Sequence, residues 1–256
     1  MYLESVRIVS EAARLKIAYL QRSFISYMVA SILAGTYIGL GVILIFSIGA
    51  PLAGAQSVFL KMLMGLSFGI ALTLVVFAGA ELFTGNNMFM GIGFLRKEVS
   101  AGELLKCWLW SWIGNLIGSL LVAYLAVSSG AISPAAGFIE KASLAKMSLP
   151  AVQLFLRGIL CNWLVCLALW TSSRTKDDVA KCILIFWCLF AFITCSYEHS
   201  VANMTLLSLP LFSPHSQGIT WWGFWRNLFY VTGGNIVGGS FFVGALYFFA
   251  TYKEKG

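Results

Sequence analysis

The sequence predicts an all-α membrane protein in which six transmembrane helices form two inverted three-helix repeats, with the second and fifth helices broken. Three observations carry this reading. Hydrophobic residues make up 59% of the 256 and charged residues 11%, at a mean hydropathy of +0.86, whereas a soluble domain has about 25% charged residues. The apolar residues gather into six runs, two of them interrupted by ionisable side chains. Short motifs of the first half return in the second.

Residues 1–23 mix acids and bases with apolar side chains and lack the compact apolar region and cleavage site of a signal peptide. They are expected to form an amphipathic helix on the cytoplasmic membrane surface. Apolar runs follow at about 24–48, 60–95, 104–127, 152–171, 182–211 and 225–251. A span uses about 20 residues, so six leave little chain for an extramembrane catalytic domain. We read 1–256 as one transmembrane domain, with repeat one at about 24–127 and repeat two at about 152–251.

The 17 basic residues exceed the 10 acidic ones, for a formal net charge of +7. Sorting them by loop gives this excess a topological meaning, because short loops rich in Lys and Arg stay cytoplasmic. Arg7, Arg14, Lys16, Arg22, Arg96, Lys97, Lys106, Arg174, Lys176, Lys181, Lys253 and Lys255 fall on one side, and Lys61, Lys141, Lys146, Arg157 and Arg226 on or near the other. Both termini are therefore expected in the cytoplasm, after an even number of crossings. The positive charge is an orientation signal, not a nucleic-acid footprint.

Gly114-Asn115-Leu116-Ile117-Gly118 in the third run returns as Gly234-Asn235-Ile236-Val237-Gly238 in the sixth. Glu81 ahead of Asn87-Met88 matches Glu198 ahead of Asn203-Met204. An odd number of spans per half turns the second copy upside down, the plan of many transport proteins, whose sites lie near the midplane between repeats.

Glu81, Glu198 and His199 lie inside apolar runs, where an ionisable group costs roughly 2.5–3.5 kcal/mol on insertion scales. Each is followed by a short apolar stretch, so the second and fifth spans are expected to be discontinuous, with non-helical backbone at mid-depth lining a cavity. The second half-helix of each then presents free N–H groups and a positive dipole end, which suits a small anion. Glu81 and Glu198 are expected to be structural, capping the half-helices or bonding loop amides. His199 sits at the matching break and is the leading candidate for pore chemistry. Thr84 admits two readings, a back-bond within its own helix or a pore group. Asn162 and Asn203 should face the interior, and Asn115 and Asn235 should serve close helix packing beside their glycines.

Trp221, Trp222 and Trp225 form an interfacial belt. The six cysteines show no CxxC and no ligand-like spacing to histidine, and fall in apolar stretches where a thiol is a small buried hydrophobe. No Walker motif, haem site or metal cluster is present in the sequence, so no cofactor is expected. His215 lies in a solvated loop.

Gly79-Ala-Glu-Leu-Phe-Thr-Gly85, Cys161-Asn-Trp-Leu-Val-Cys-Leu-Ala168 and Tyr197-Glu-His-Ser-Val-Ala-Asn-Met204 resemble the signatures of the formate/nitrite transporter family, from about Ala12 to the C-terminus. The resemblance implies an aquaporin-like protomer, a homopentamer with a pore in each copy for small monovalent anions of weak acids, and the bacterial plasma membrane. It places the central histidine on His199, the threonine on Thr84, hydrophobic constrictions on Leu82 and Phe192, pore asparagines on Asn162 and Asn203, and anion-attracting vestibule lysines on Lys16 and Lys146. The run Trp187-Cys-Leu-Phe-Ala-Phe-Ile and the Cys161 motif are most similar to the nitrite channel branch, with formate and hydrosulfide as alternatives.

A bare anion cannot cheaply cross an apolar ring of Leu82 and Phe192, so neutralisation by a proton near the midplane is the mechanism that fits. His199 could give that proton or hold a field that passes it from water. Two other classes compete. A neutral-solute channel shares the inverted plan, but its two Asn-Pro-Ala boxes are absent here; a membrane-embedded enzyme would need further acids or metal ligands beside Glu81 and Glu198.

Overall fold

The computed structural model describes residues 2–252, and every regular element among them is helical. Lys253 and Lys255, used above to sort the charges, lie outside the described residues. Helix α1 (Leu3–Arg22) buries Val6, Val9, Ala13 and Ile17 along one stripe, the spacing of an amphipathic helix. That stripe packs on protein, not on lipid as the sequence suggested: Val6 and Val9 join Met88, Ile92 and Trp170, while Ala13 and Ile17 join Tyr27 and Met90. Leu3, Ile8 and Leu15 remain exposed on its outer face.

Helix α2 (Phe24–Gly54) is the first crossing. The second comprises α3 (Leu60–Ser67), α4 (Gly69–Leu74), a π-helical turn (Val75–Gly79), a non-helical break, and α5 (Phe83–Leu95). The third is α6 (Ala101–Ser128). After α7 (Ala136–Ser148), the fourth is α8 (Ala151–Ser172) and the fifth is α9 (Asp178–Thr194) plus α10 (Ser200–Leu211), again with a break between. The sixth runs from α11 (Trp221–Val237) through a π-helical stretch (Gly238–Ala245) into α12 (Leu246–Tyr252). Local chemistry fixes several starts: Ser100 and Glu103 form a reciprocal capping box on α6, and Asp177 and Thr220 accept the amides of Ala180 and Gly223 at the starts of α9 and α11. The 13-residue α7 lies between the third and fourth spans, in a stretch where the sequence shows no apolar run.

The Tyr2 and Tyr247 rings meet edge-on at 5.4 Å, and Tyr247 stacks on Trp170. The two ends of the described chain therefore share one face, called here the N-side; the opposite face is the far side. The even number of crossings expected from the charges follows from this contact.

Two helix pairs carry the repeat, α2 with α6 and α8 with α11. A Cβ on Gly118 would sit 2.0 Å from the Ile32 carbonyl oxygen, and one on Gly238 would sit 2.4 Å from that of Ile159. Only glycine permits backbones this close, and the same approach occurs in both halves.

Candidate functional site

Each break is held by one asparagine. Asn115 Oδ1 accepts the Phe83 amide at 2.9 Å, and its Nδ2 donates to the carbonyls of Ser31 (2.7 Å) and Glu81 (2.9 Å). Asn235 Oδ1 accepts the Ser200 amide at 2.8 Å, and its Nδ2 donates to Gly158 (2.8 Å) and Glu198 (3.0 Å). The break backbone is thus satisfied by protein, as the bilayer requires. Asn115 and Asn235 do more than accompany packing glycines, because unwinding the chain frees backbone groups that a buried amide must meet. Before each break the chain turns through positive φ, at Gly79 (81°) and Ser196 (57°).

The glutamates take a different part from the capping one expected. Among the described residues neither carboxylate accepts a backbone amide. Glu81 receives Lys16 Nζ at 2.7 and 2.8 Å and Asn86 Nδ2 at 3.1 Å, and Glu198 receives Lys146 Nζ at 2.7 Å and Asn203 Nδ2 at 2.6 Å. The counterpart of Asn203 is therefore Asn86, not Asn87, and the register relating Glu81 to Glu198 holds without a slip. Sequence reasoning missed Asn86 because Asn86 and Asn87 are adjacent and only the latter precedes a methionine.

Two vestibules approach the midplane. The N-side one, about 480 Å³, is lined by Lys16, Glu81, Leu82, Asn86, Phe89 and Lys181 among others. The far-side one, about 390 Å³, is lined by Lys61, Lys146, Tyr197, Asn203, Phe192 and His199 together with apolar residues of α2 and α3. Between them a void of about 10 Å³, scarcely one water, is walled by Leu82, Phe192 and His199 with Ile38, Phe68, Leu72, Val165 and Leu189. Leu82 thus belongs to the N-side vestibule and the void, and Phe192 and His199 to the void and the far-side vestibule. Phe192 is held by an edge contact with Phe68 at 5.5 Å and stacks on the His199 ring at 5.9 Å.

His199 is the N-cap of α10: its Nδ1 accepts the Ala202 amide at 3.1 Å. A backbone N–H can only donate, so Nδ1 carries no proton and the neutral ring has its hydrogen on Nε2. Nε2 lies 3.1 Å from Thr84 Oγ1, which it meets as donor. Thr84 therefore joins the histidine across the two halves instead of back-bonding its own helix.

Asn162 is fully buried and lines none of the three cavities. Its Nδ2 donates to the Thr84 carbonyl (3.1 Å), Asn87 Oδ1 (3.0 Å) and the Asn235 carbonyl (2.7 Å), so it sits behind the Thr84 segment. Cys107, Cys161 and Cys166 are buried as expected, but Cys195 is exposed, at the turn that ends α9. Among the described residues no cluster of His, Cys, Asp and Glu could hold a metal.

The profile of the formate/nitrite transporter family matches residues 4–249. The nitrite transporter NirC of Escherichia coli (strain K12) is 46% identical over 233 residues, which cover 90% of this chain and 85% of that one. A solved FNT family ion channel aligns with a TM-score of 0.92 at 41% identity, over 97% of this chain and 99% of the other. A solved pentameric formate channel with formate bound aligns with a TM-score of 0.78 at 27% identity, over 89% and 97%. These similar proteins are transporters and channels, not enzymes. With its profile matched across almost its whole length, the chain belongs to the formate/nitrite transporter family.

Proposed function

We propose that the chain forms a pore for small monovalent anions of weak acids, nitrite foremost, which cross its centre in neutral form. The observation that carries this reading is the apolar plug: two vestibules, each with lysines in its wall, stop at Leu82 and Phe192, separated by a void of about 10 Å³. A charge moved from water into such a place loses several kcal/mol or more of hydration. A conjugate base that picks up a proton at the edge of the plug avoids that loss.

His199 is not the proton's source in this reading. Its Nδ1 is already bonded to the Ala202 amide, and protonating it would set two donors face to face. The proton reaches the anion from the bulk by way of vestibule water, while the Thr84 hydroxyl, whose oxygen accepts the Nε2–H, keeps its own hydrogen to donate to the acid's oxygen, and the ring fills space a bare anion would use. Leu82 and Phe192 are the constrictions and Asn203 a vestibule wall. Asn162 supports the Thr84 segment, and Glu81 and Glu198 hold Lys16 and Lys146 in place.

Nitrite leads because of the 46% identity to a nitrite transporter; formate is the second reading, since a formate channel shares the fold and the two are bent anions of similar size. The homopentamer is proposed from the pentameric neighbour, and native mass in mild detergent reads it directly. The basic excess on the N-side supports a cytoplasmic position for α1 and both termini in a bacterial cell. Proteoliposomes challenged side by side with nitrite, formate, hydrosulfide and glycerol test the reading: fast flux of the weak-acid anions with little glycerol permeation is expected, and glycerol permeation matching nitrite would overturn it.

A further inference from the structure

Once Lys146 is tied to Glu198, the far-side vestibule retains one cation with no acid beside it. Lys146 Nζ lies 2.7 Å from Glu198 Oε1, and such a pair is close to neutral for an anion some distance away. Lys61 lies in the first turn of α3, is exposed, and lines the same cavity. Among the described residues it forms no ion pair.

The N-side vestibule is built differently. Lys16 is paired with Glu81, and Lys181 with Asp178 at 2.8 Å. The register that carries Glu81 to Glu198 carries Lys61 to Asp178, which opens the matching half-helix α9. At equivalent places in the repeat, one half puts a lone cation in its vestibule wall and the other an acid that pairs with the vestibule's Lys181 one turn on.

We infer that Lys61 is the anion-capturing residue of the far-side vestibule, and that the pore draws anions more strongly from the far side than from the N-side. The inference rests on the reading of the chain as an anion pore. Lys61 contributes a long-range field on a flexible stem, concentrating anions in a vestibule whose remaining charges are paired. Its contribution falls as salt shortens the Debye length. It acts before the plug, so it sets how much anion is needed to fill the vestibule and not how fast a filled pore turns over.

The test uses the full chain in cells lacking other nitrite carriers, with right-side-out spheroplasts for far-side uptake and inverted vesicles for N-side uptake, each at low and high ionic strength. At low salt, Lys61→Gln is expected to raise the half-saturating nitrite concentration from the far side about threefold and Lys61→Glu about tenfold, with the saturated rate retained. Lys61→Arg should restore the parent value, and high salt should bring all variants together. Lys61→Glu matching the parent at low salt would overturn the inference while leaving the pore reading intact. A defect equal from both sides, or one that persists at high salt, would also overturn it, since it would report a structural lesion. A parent with no flux above empty membranes would remove the pore reading and this inference together.

Discussion

Leu82 and His199 hold the same position in opposite halves of the chain: each is the N-cap of the half-helix after its break, and both side chains border one void. The asparagine that holds each break makes the same three bonds in both halves, but the leucine offers no polar atom while the histidine caps Ala202 and reaches Thr84. The polar edge of the plug is therefore one-sided.

Substitution of His199 separates its two bonds. His199→Phe keeps ring volume but orphans the Ala202 amide, a loss of about 1–3 kcal/mol, and should cut nitrite flux at least about tenfold. His199→Asn keeps a polar side chain able to accept that amide but is smaller, so water and bare anion should enter and proton-linked flux should become plain conductance. Flux under a pH gradient and current under voltage distinguish these outcomes. Parent-like pH dependence in both variants would remove His199 from the mechanism.

Phe192→Ala should merge the central void with the far-side vestibule. Nitrite flux should rise and larger carboxylates such as lactate should begin to pass, at a stability loss of about 3–5 kcal/mol for the missing ring contacts. Lactate exclusion unchanged from the parent would place the barrier elsewhere.

The six crossings and both breaks were legible because lipid leaves few alternatives: a glutamate within an apolar run must mark irregular backbone near a cavity. The glycine-asparagine repeat also disclosed the inverted halves. What stayed hidden was pairing over distance. Nothing near Lys16 announces Glu81, and nothing near Lys146 announces Glu198, so two lysines that look like free vestibule charges are neutralised by contacts 65 and 52 residues away. Lys61 was legible only as an orientation charge. Helix α7 buries Ile139, Ser143 and Met147 at four-residue spacing, a signal present in the sequence but diluted by a serine among the buried positions.

The asparagine that holds each break should be indispensable to folding. Asn235→Leu strands the Ser200 amide and the Glu198 carbonyl, both buried, at a loss on the order of 3–5 kcal/mol. A large drop in melting temperature in detergent, followed by tryptophan fluorescence, is expected. A parent-like melt would show that the break does not depend on this amide.

The far-side loop should loosen in acid. Hydrogen bonds from the Ser216 side chain and amide, and the nearby His215, hold the Glu140 carboxyl below its ordinary range. Because the folded value is depressed, the contact's contribution is present above the unfolded value and is lost as pH falls through the folded one. Hydrogen exchange at Ser216, corrected for intrinsic rate, should show protection at neutral pH that disappears in acid, and Glu140→Gln should show no such pH dependence. Equal protection of the parent amide at both pH values would contradict this.

The central claim is that the anion crosses the plug only as its neutral acid. Proton and nitrite fluxes measured together in proteoliposomes, with membrane voltage set by potassium and valinomycin, test it most directly. The expected result is one proton moving with each nitrite and a rate indifferent to voltage, since no net charge passes Leu82 and Phe192. Nitrite flux that follows the voltage with no accompanying proton would contradict it.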